Sequence, residues 1–358
     1  MKLVKITVLM LTCLVMVLAS VGCKPGETGI PTLTIMTHDS FAISSELVTQ
    51  FESEHKVHLV FLPSGDAGAM LNRAILTKNS PQADVLYGVD NTFLSRALQE
   101  GLFIMYQSPL LKDIPDEFKL DPNFRALPVD YGDVCINFDK KYFSEHNLAV
   151  PQSLQDLLAP EYGKQAGNPG LLVVENPATS SPGLAFLLAT VKAFGEDGYL
   201  QFWQSLKDNG VVVANDWNTA YYTNFSGSSG KGGQPMVVSY ASSPAAEVIF
   251  ASSPVSDAPT ASIVDPGTCF RQVEFAGILK GTKHLKLAQQ FIDFMLGVKF
   301  QEDIPLQMFV YPVNPAAKLP DAFLQYAQTA QDPASLDPSM IEANRDKWIQ
   351  AWTEVMLK

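Results

Sequence analysis

Leu33-Thr34-Ile35-Met36 and Val57-His58-Leu59-Val60-Phe61-Leu62 are short apolar runs flanking residues 44–54, where Leu47, Val48 and Phe51 recur at helical spacing. The runs have strand length, and the spacer has the period of an amphipathic helix. A third run, Ala83-Asp84-Val85-Leu86-Tyr87, precedes a helix-like stretch, 91–100, with a stop at Gly101. Two parallel strands need a crossover between them, so this alternation predicts an α/β protein with a largely parallel sheet and helices on both faces.

Outward from there the pattern repeats. After Val129-Asp130-Tyr131-Gly132-Asp133-Val134-Cys135-Ile136-Asn137-Phe138, strands are expected at 170–175, 211–214 and 236–240. Residues 183–194 form a helix with Leu184, Leu187, Leu188 and Val191 on its apolar side. Residues 273–279 read as a returning strand and 285–296 as an amphipathic helix. At roughly 100–200 residues per domain, the 358 residues make two lobes. Lobe 1 is expected to hold 32–130 and 263–358 and lobe 2 to hold 131–262, joined by two crossings with the ligand cleft between them.

The N-terminus has its own logic. A basic Met1-Lys2-Leu3-Val4-Lys5 precedes an uncharged run, 6–21, too short to span a bilayer comfortably. Cys23 follows Ala19-Ser20-Val21-Gly22, and 23–31 reads as a tether. The arrangement resembles a bacterial lipoprotein signal, with Ser20 where Leu is usual, and implies removal of 1–22 and lipidation of Cys23. The chain carries 25 basic and 37 acidic side chains, a net charge of −12. Lys2 and Lys5 lie in the signal, so the exported part reaches −14. Such a surface repels nucleic acid and favours a cationic ligand. Disorder and a multi-span membrane protein are excluded by 47% hydrophobic residues and 17% charged ones in an interrupted pattern. Cys135 and Cys269 lack metal-site spacing; in an oxidising compartment they either pair or stay separate buried thiols.

Catalytic signatures are missing: there is no HExxH, GxSxG, strand-following GxGxxG or paired CxxC. His55 and His58 read as a solvated pair, and the Gly/Ser-rich run at 226–233 as a surface loop without Walker spacing. A two-lobed exported protein without these motifs is better read as a receptor that closes around a solute than as an enzyme. No catalytic residue, metal or cofactor is assigned.

The ligand is expected at strand ends. His38-Asp39-Ser40-Phe41 follows the first strand and Asp66-Ala67-Gly68 the second, and Asp90 follows the third. Thr179-Ser180-Ser181-Pro182-Gly183 opens a helix, with Ser181 as N-cap and Pro182 as first helical residue, a site for a hydroxyl or anion. Trp217, in the polar stretch Asn215-Asp216-Trp217-Asn218-Thr219-Ala220-Tyr221-Tyr222, suits a plate for a flat heterocycle. Tyr240-Ala241-Ser242-Ser243-Pro244 ends a strand with small and hydroxyl residues.

These fragments, with Met70-Leu71-Asn72-Arg73, Gly88-Val89-Asp90-Asn91, Pro128-Val129-Asp130-Tyr131-Gly132 and Tyr311-Pro312-Val313, resemble the periplasmic thiamine-binding proteins over nearly the whole exported chain. The resemblance implies a type II periplasmic-binding fold and a monomeric receptor that hands thiamine, thiamine monophosphate or thiamine diphosphate to an ABC permease with its ATPase. Carried over by position, the ligand contacts are Asp66, Ala67, Ser180, Ser181, Trp217 and Tyr240 to Pro244; His38, Asp39 and Tyr221 are added from their placement. Two family tyrosines are replaced, by His38 and Ala246. Tyr221, Tyr222 or Tyr311 fills the gap, or the ligand is a related compound. The rivals are a ferric-iron receptor using Tyr221-Tyr222 and an exported enzyme acting on a thiamine-like heterocycle through His38.

Overall fold

The computed structural model describes residues 29–164, 169–229 and 231–358. The signal segment, Cys23 and most of the tether lie outside these residues.

The strands are β1 (Thr32–Thr37), β2 (His58–Pro63), β3 (Val85–Asp90), β4 (Phe103–Ile104), β5 (Leu127–Asp139), β6 (Leu172–Glu175), β7 (Val212–Ala214), β8 (Met236–Tyr240), β9 (Thr260–Ile263), β10 (Phe270–Leu279) and β11 (Tyr311–Pro312). They form one sheet in the order β2-β1-β3-β10-β5-β8-β6-β7, with β4, β9 and β11 attached at its side. β1 runs parallel to β2 and β3, and β6 parallel to β7 and β8. Between these groups β5 and β10 pair antiparallel, from Leu127 opposite Ala276 to Val134 opposite Phe270. The sheet is therefore mixed rather than largely parallel. β5 carries the chain away from the first group and β10 carries it back, and two strands doing opposite jobs side by side must run opposite ways.

Local chemistry explains the element ends. Asp66 caps the helix Ala67–Leu76 by accepting from Ala67 N at 2.7 Å. The helix from Ser181 begins with Ser180, not Ser181, as N-cap. Ser181 Oγ is instead taken by Gln272 Nε2 at 2.7 Å. The helical segment continues to Asp208, far beyond 194, but Gly195 at φ 71°, ψ 172° breaks it into two rods. The polar stretch after Trp217 is a π-helical turn, Thr219–Asn224, rather than a loop.

One packing feature bears on movement. The C-terminal helix Pro338–Met356 lies against the helix that follows Gly195: Trp352 meets Trp203 edge to face at 5.5 Å, both fully buried. The same helix places Arg345 over the Phe93 ring and beneath Thr92 O beside β3. It thus straps the β3 side to the β6–β8 side.

Cys135 in β5 and Cys269 just before β10 form a disulfide, with Cα atoms 4.4 Å apart. Of the two possibilities left by spacing, pairing is the one adopted, because Val134 opposite Phe270 brings the neighbouring residues into register. Among the described residues no helix is long and apolar enough to cross a membrane.

Candidate functional site

The C-terminal ends of β1, β2, β3, β6 and β8 face one crevice, where an α/β sheet presents its loops and helix starts. A cavity of about 410 Å³ lies there. From the sequence candidates its wall takes His38, Asp39, Asp66, Ala67, Ser181, Trp217 and Tyr240. Ser180, Tyr221, Ala241, Ser242, Ser243 and Pro244 stand behind that wall.

These supporting residues have visible work. Trp217 is held at its edge and on its face. Its indole N–H donates to Ser239 Oγ at 3.0 Å, and Ser239 is in turn 3.0 Å from Ser243 Oγ. Tyr221 stacks on its ring at 4.9 Å and 16°, and its own hydroxyl donates to Glu247 Oε1 at 2.6 Å. The plate is rigid before any ligand arrives. Ser242 Oγ donates to Phe309 O. Phe309 sits at φ 58°, a strained backbone for a bulky residue, and lines the cavity with Phe250, 5.1 Å from it.

Of the three tyrosines considered as substitutes for the missing aromatics, Tyr222 lines the cavity. Tyr311 stacks on Tyr131 at 5.4 Å, away from the wall. Sequence reading also missed Phe250, Phe309 and Met308, which arrive from segments with no pattern of their own. Nor did it find Glu274, a charged residue inside an apolar strand, where its alternation-breaking charge was the available signal.

His38 occupies its place because Gly88 has no side chain. Gly88 lies at φ 103°, and a Cβ there would come within 2.3 Å of His38 Cδ2. Burial lowers the His38 pKa against the pull of Asp66, Asp130 and other acids, so the ring is held toward the neutral form. Its Nε2 lies 3.7 Å from Glu274 Oε1 and has no hydrogen-bond partner.

Below it is a group of carboxyls. Glu274 and Asp130 are direct cross-strand partners on β10 and β5. Tyr87 OH contacts Asp130 Oδ2 and, at 3.1 Å, Glu274 Oε2. Desolvation pushes Glu274 up to about 7 and Asp130 well above the usual carboxylate range. Asp90 is pushed up to about 6 by burial, although Thr92 N and Oγ1 donate to it. Asp66 is raised by burial too, against donors from Ala67 and Trp217. Among the described residues no Lys or Arg lines the cavity. Such a lining favours a flat, cationic or hydrogen-bonding heterocycle over an anion.

Among the described residues no group of three or more His, Cys, Asp or Glu is placed to hold a metal. Tyr221 and Tyr222 meet edge to face at 86°, with Tyr221 committed to Glu247, so they do not converge as two phenolate ligands.

Residues 80–330 match the family model described as bacterial extracellular solute-binding protein. The thiamine-binding periplasmic protein of Escherichia coli K12 is 31% identical over 329 residues, covering 90% of this chain and 92% of that one. A solved periplasmic thiamin binding protein superposes with a TM-score of 0.77 at 28% identity, over 91% of this chain and 96% of that one. The ferric binding protein from Campylobacter jejuni shares the fold, with a TM-score of 0.71 at 17% identity over 90% of this chain and 99% of that one.

Proposed function

The chain belongs to the bacterial extracellular solute-binding proteins, and we propose that it is the exported receptor of an ABC importer that captures thiamine or a phosphate ester of it. The observation that carries the reading is Trp217, a rigid aromatic plate on the wall of an acidic cavity of thiamine-accommodating size. Stacking on Trp217 suits the flat rings, and the carboxyls of Asp39 and Asp66 suit the thiazolium charge. The similarity to thiamine-binding relatives supports the same ligand.

The function is capture and release, with no bond made or broken. Closing would bring the β1–β3 side and the β6–β8 side together over the ligand by flexing β5 and β10. On this reading one lobe holds 32–130 with 263–358 and the other 131–262, with the cleft between them. Cys23 would hold the receptor at the membrane by a lipid, leaving it close to the permease and its ATPase.

The test is titration calorimetry of the chain lacking residues 1–22, with Cys23 replaced, against thiamine, its mono- and diphosphate, and its free pyrimidine. Saturable binding of one of the thiamine forms with the compound recovered unchanged is the expected result. Failure of all of them, or their conversion to a product, would overturn the reading.

A further inference from the structure

Among the described residues, Glu274 is the one carboxyl on the cavity wall that comes from a strand crossing between the two sides of the sheet. Its Oε2 is engaged by Tyr87 OH at 3.1 Å. Its Oε1 lies 3.7 Å from the unpartnered Nε2 of His38, and its carboxyl group also meets that of Asp130. The groups facing it are Asp130 from β5, Tyr87 and Asp90 from β3, His38 after β1, Asp66 at the head of its helix and Tyr240 at the end of β8. Three of these six, Asp130, Asp90 and Asp66, are carboxyls, and none is Lys or Arg. Carboxyls crowded in this way without a cation cannot all ionise, so protons stay in the cluster.

We infer that Glu274 reads the ligand as a neutral carboxylic acid, donating a hydrogen bond to a ring nitrogen and accepting one from the amino group beside it. This rests on the thiamine reading, because the aminopyrimidine of thiamine presents such an edge. The chemistry is selective: an acid offers a donor next to an acceptor, whereas a carboxylate accepts only and would leave the ring nitrogen unpaired in a buried site. The group therefore separates amino-heteroaromatic ligands from flat cations without that edge. It assigns the carboxyl group a directional role in place of charge balance.

The test compares Glu274→Gln and Glu274→Met with the unchanged protein in calorimetric titrations at pH 6 and 8. The probes are thiamine and an analogue with aniline in place of the aminopyrimidine. Gln also sets a donor beside an acceptor, so Glu274→Gln is expected to bind thiamine within about 3-fold of the unchanged protein at pH 6 and to lose its pH dependence. Glu274→Met should bind about 10- to 100-fold more weakly, and the unchanged protein should discriminate against the analogue by at least about 10-fold. Ligand-free thermal melts confirm that both variants fold. If Gln binds as poorly as Met, Glu274 acts as a carboxylate and the inference falls. If Met binds normally, or the analogue binds as well as thiamine, it also falls while the receptor reading stands. Failure of the unchanged protein to bind thiamine overturns both.

Discussion

Trp217 and Asp66, 151 positions apart, are joined across the cleft: the Trp217 backbone N–H donates to Asp66 Oδ2 at 3.1 Å. The other oxygen of Asp66 accepts from Ala67 N. One side chain therefore both starts a helix on the β1–β3 side and ties it to the aromatic plate on the other side. A second tie, Gly68 N to Thr179 O at 3.1 Å, lies beside it. The two sides are in contact at the cavity, so any wider state must give up these bonds.

Breaking that link should open the molecule. Asp66→Ala removes a helix cap worth about 1 kcal/mol and the bond to Trp217. A lower transition temperature, a larger radius of gyration by small-angle X-ray scattering and weaker thiamine binding are expected. An unchanged radius in both liganded and ligand-free samples would show that the link does not hold the sides together.

The plate can be tested without hollowing the protein. Trp217 is buried against Tyr221, so Trp217→Ala sacrifices packing as well as a ligand surface. Trp217→Phe keeps an aromatic face and loses the bond to Ser239. Thiamine affinity should fall about 10-fold in Trp217→Phe and about 30-fold or more in Trp217→Ala, in line with 1–2 kcal/mol for such stacking. Tryptophan fluorescence of the unchanged protein should shift on saturation, and normal binding by both variants would remove Trp217 from the site.

Stability should fall as pH rises through the acid cluster. Glu274 at about 7 and Asp90 at about 6 bind protons more tightly when folded than when unfolded. The native state then holds more protons than the unfolded state between about pH 4 and 7, and the stability difference declines with pH over that window. The ligand-free transition temperature is expected to drop from pH 5 to pH 8, with a shallower slope in Glu274→Gln and Asp90→Asn. A slope of the opposite sign, or one that the two substitutions leave untouched, would show that other groups dominate.

Reduction should cost stability out of proportion to the size of the link. The Cys135–Cys269 disulfide closes a loop spanning 134 positions. Loop-closure entropy assigns such a bridge about 4–5 kcal/mol. In a chain of this length that is on the order of a 10 °C fall in transition temperature with a reductant or in a Cys135→Ala, Cys269→Ala double variant. A melt insensitive to reductant, after thiol counting confirms cleavage, would contradict this.

The alternation of short apolar runs with helix-period stretches was enough to recover β1, β2 and β3, the strands β6 to β8 and the helix Leu285–Leu296, because each signal is local. Strand ends carried the acids and hydroxyls, so His38, Asp39, Asp66 and Tyr240 were visible as wall residues before any fold existed. The antiparallel direction of β5 and β10 was not, since strand direction depends on where the chain has to go. The same holds for Glu274 and Phe309: one is a single charge in a buried strand, the other a residue in an unpatterned turn. They reach the cavity only because β10 crosses beside β5 and Ser242 grips the backbone of Phe309. The pairing of Glu274 with Asp130, 144 positions apart, is likewise a product of strand register, and register is a long-range property that local spacing does not encode.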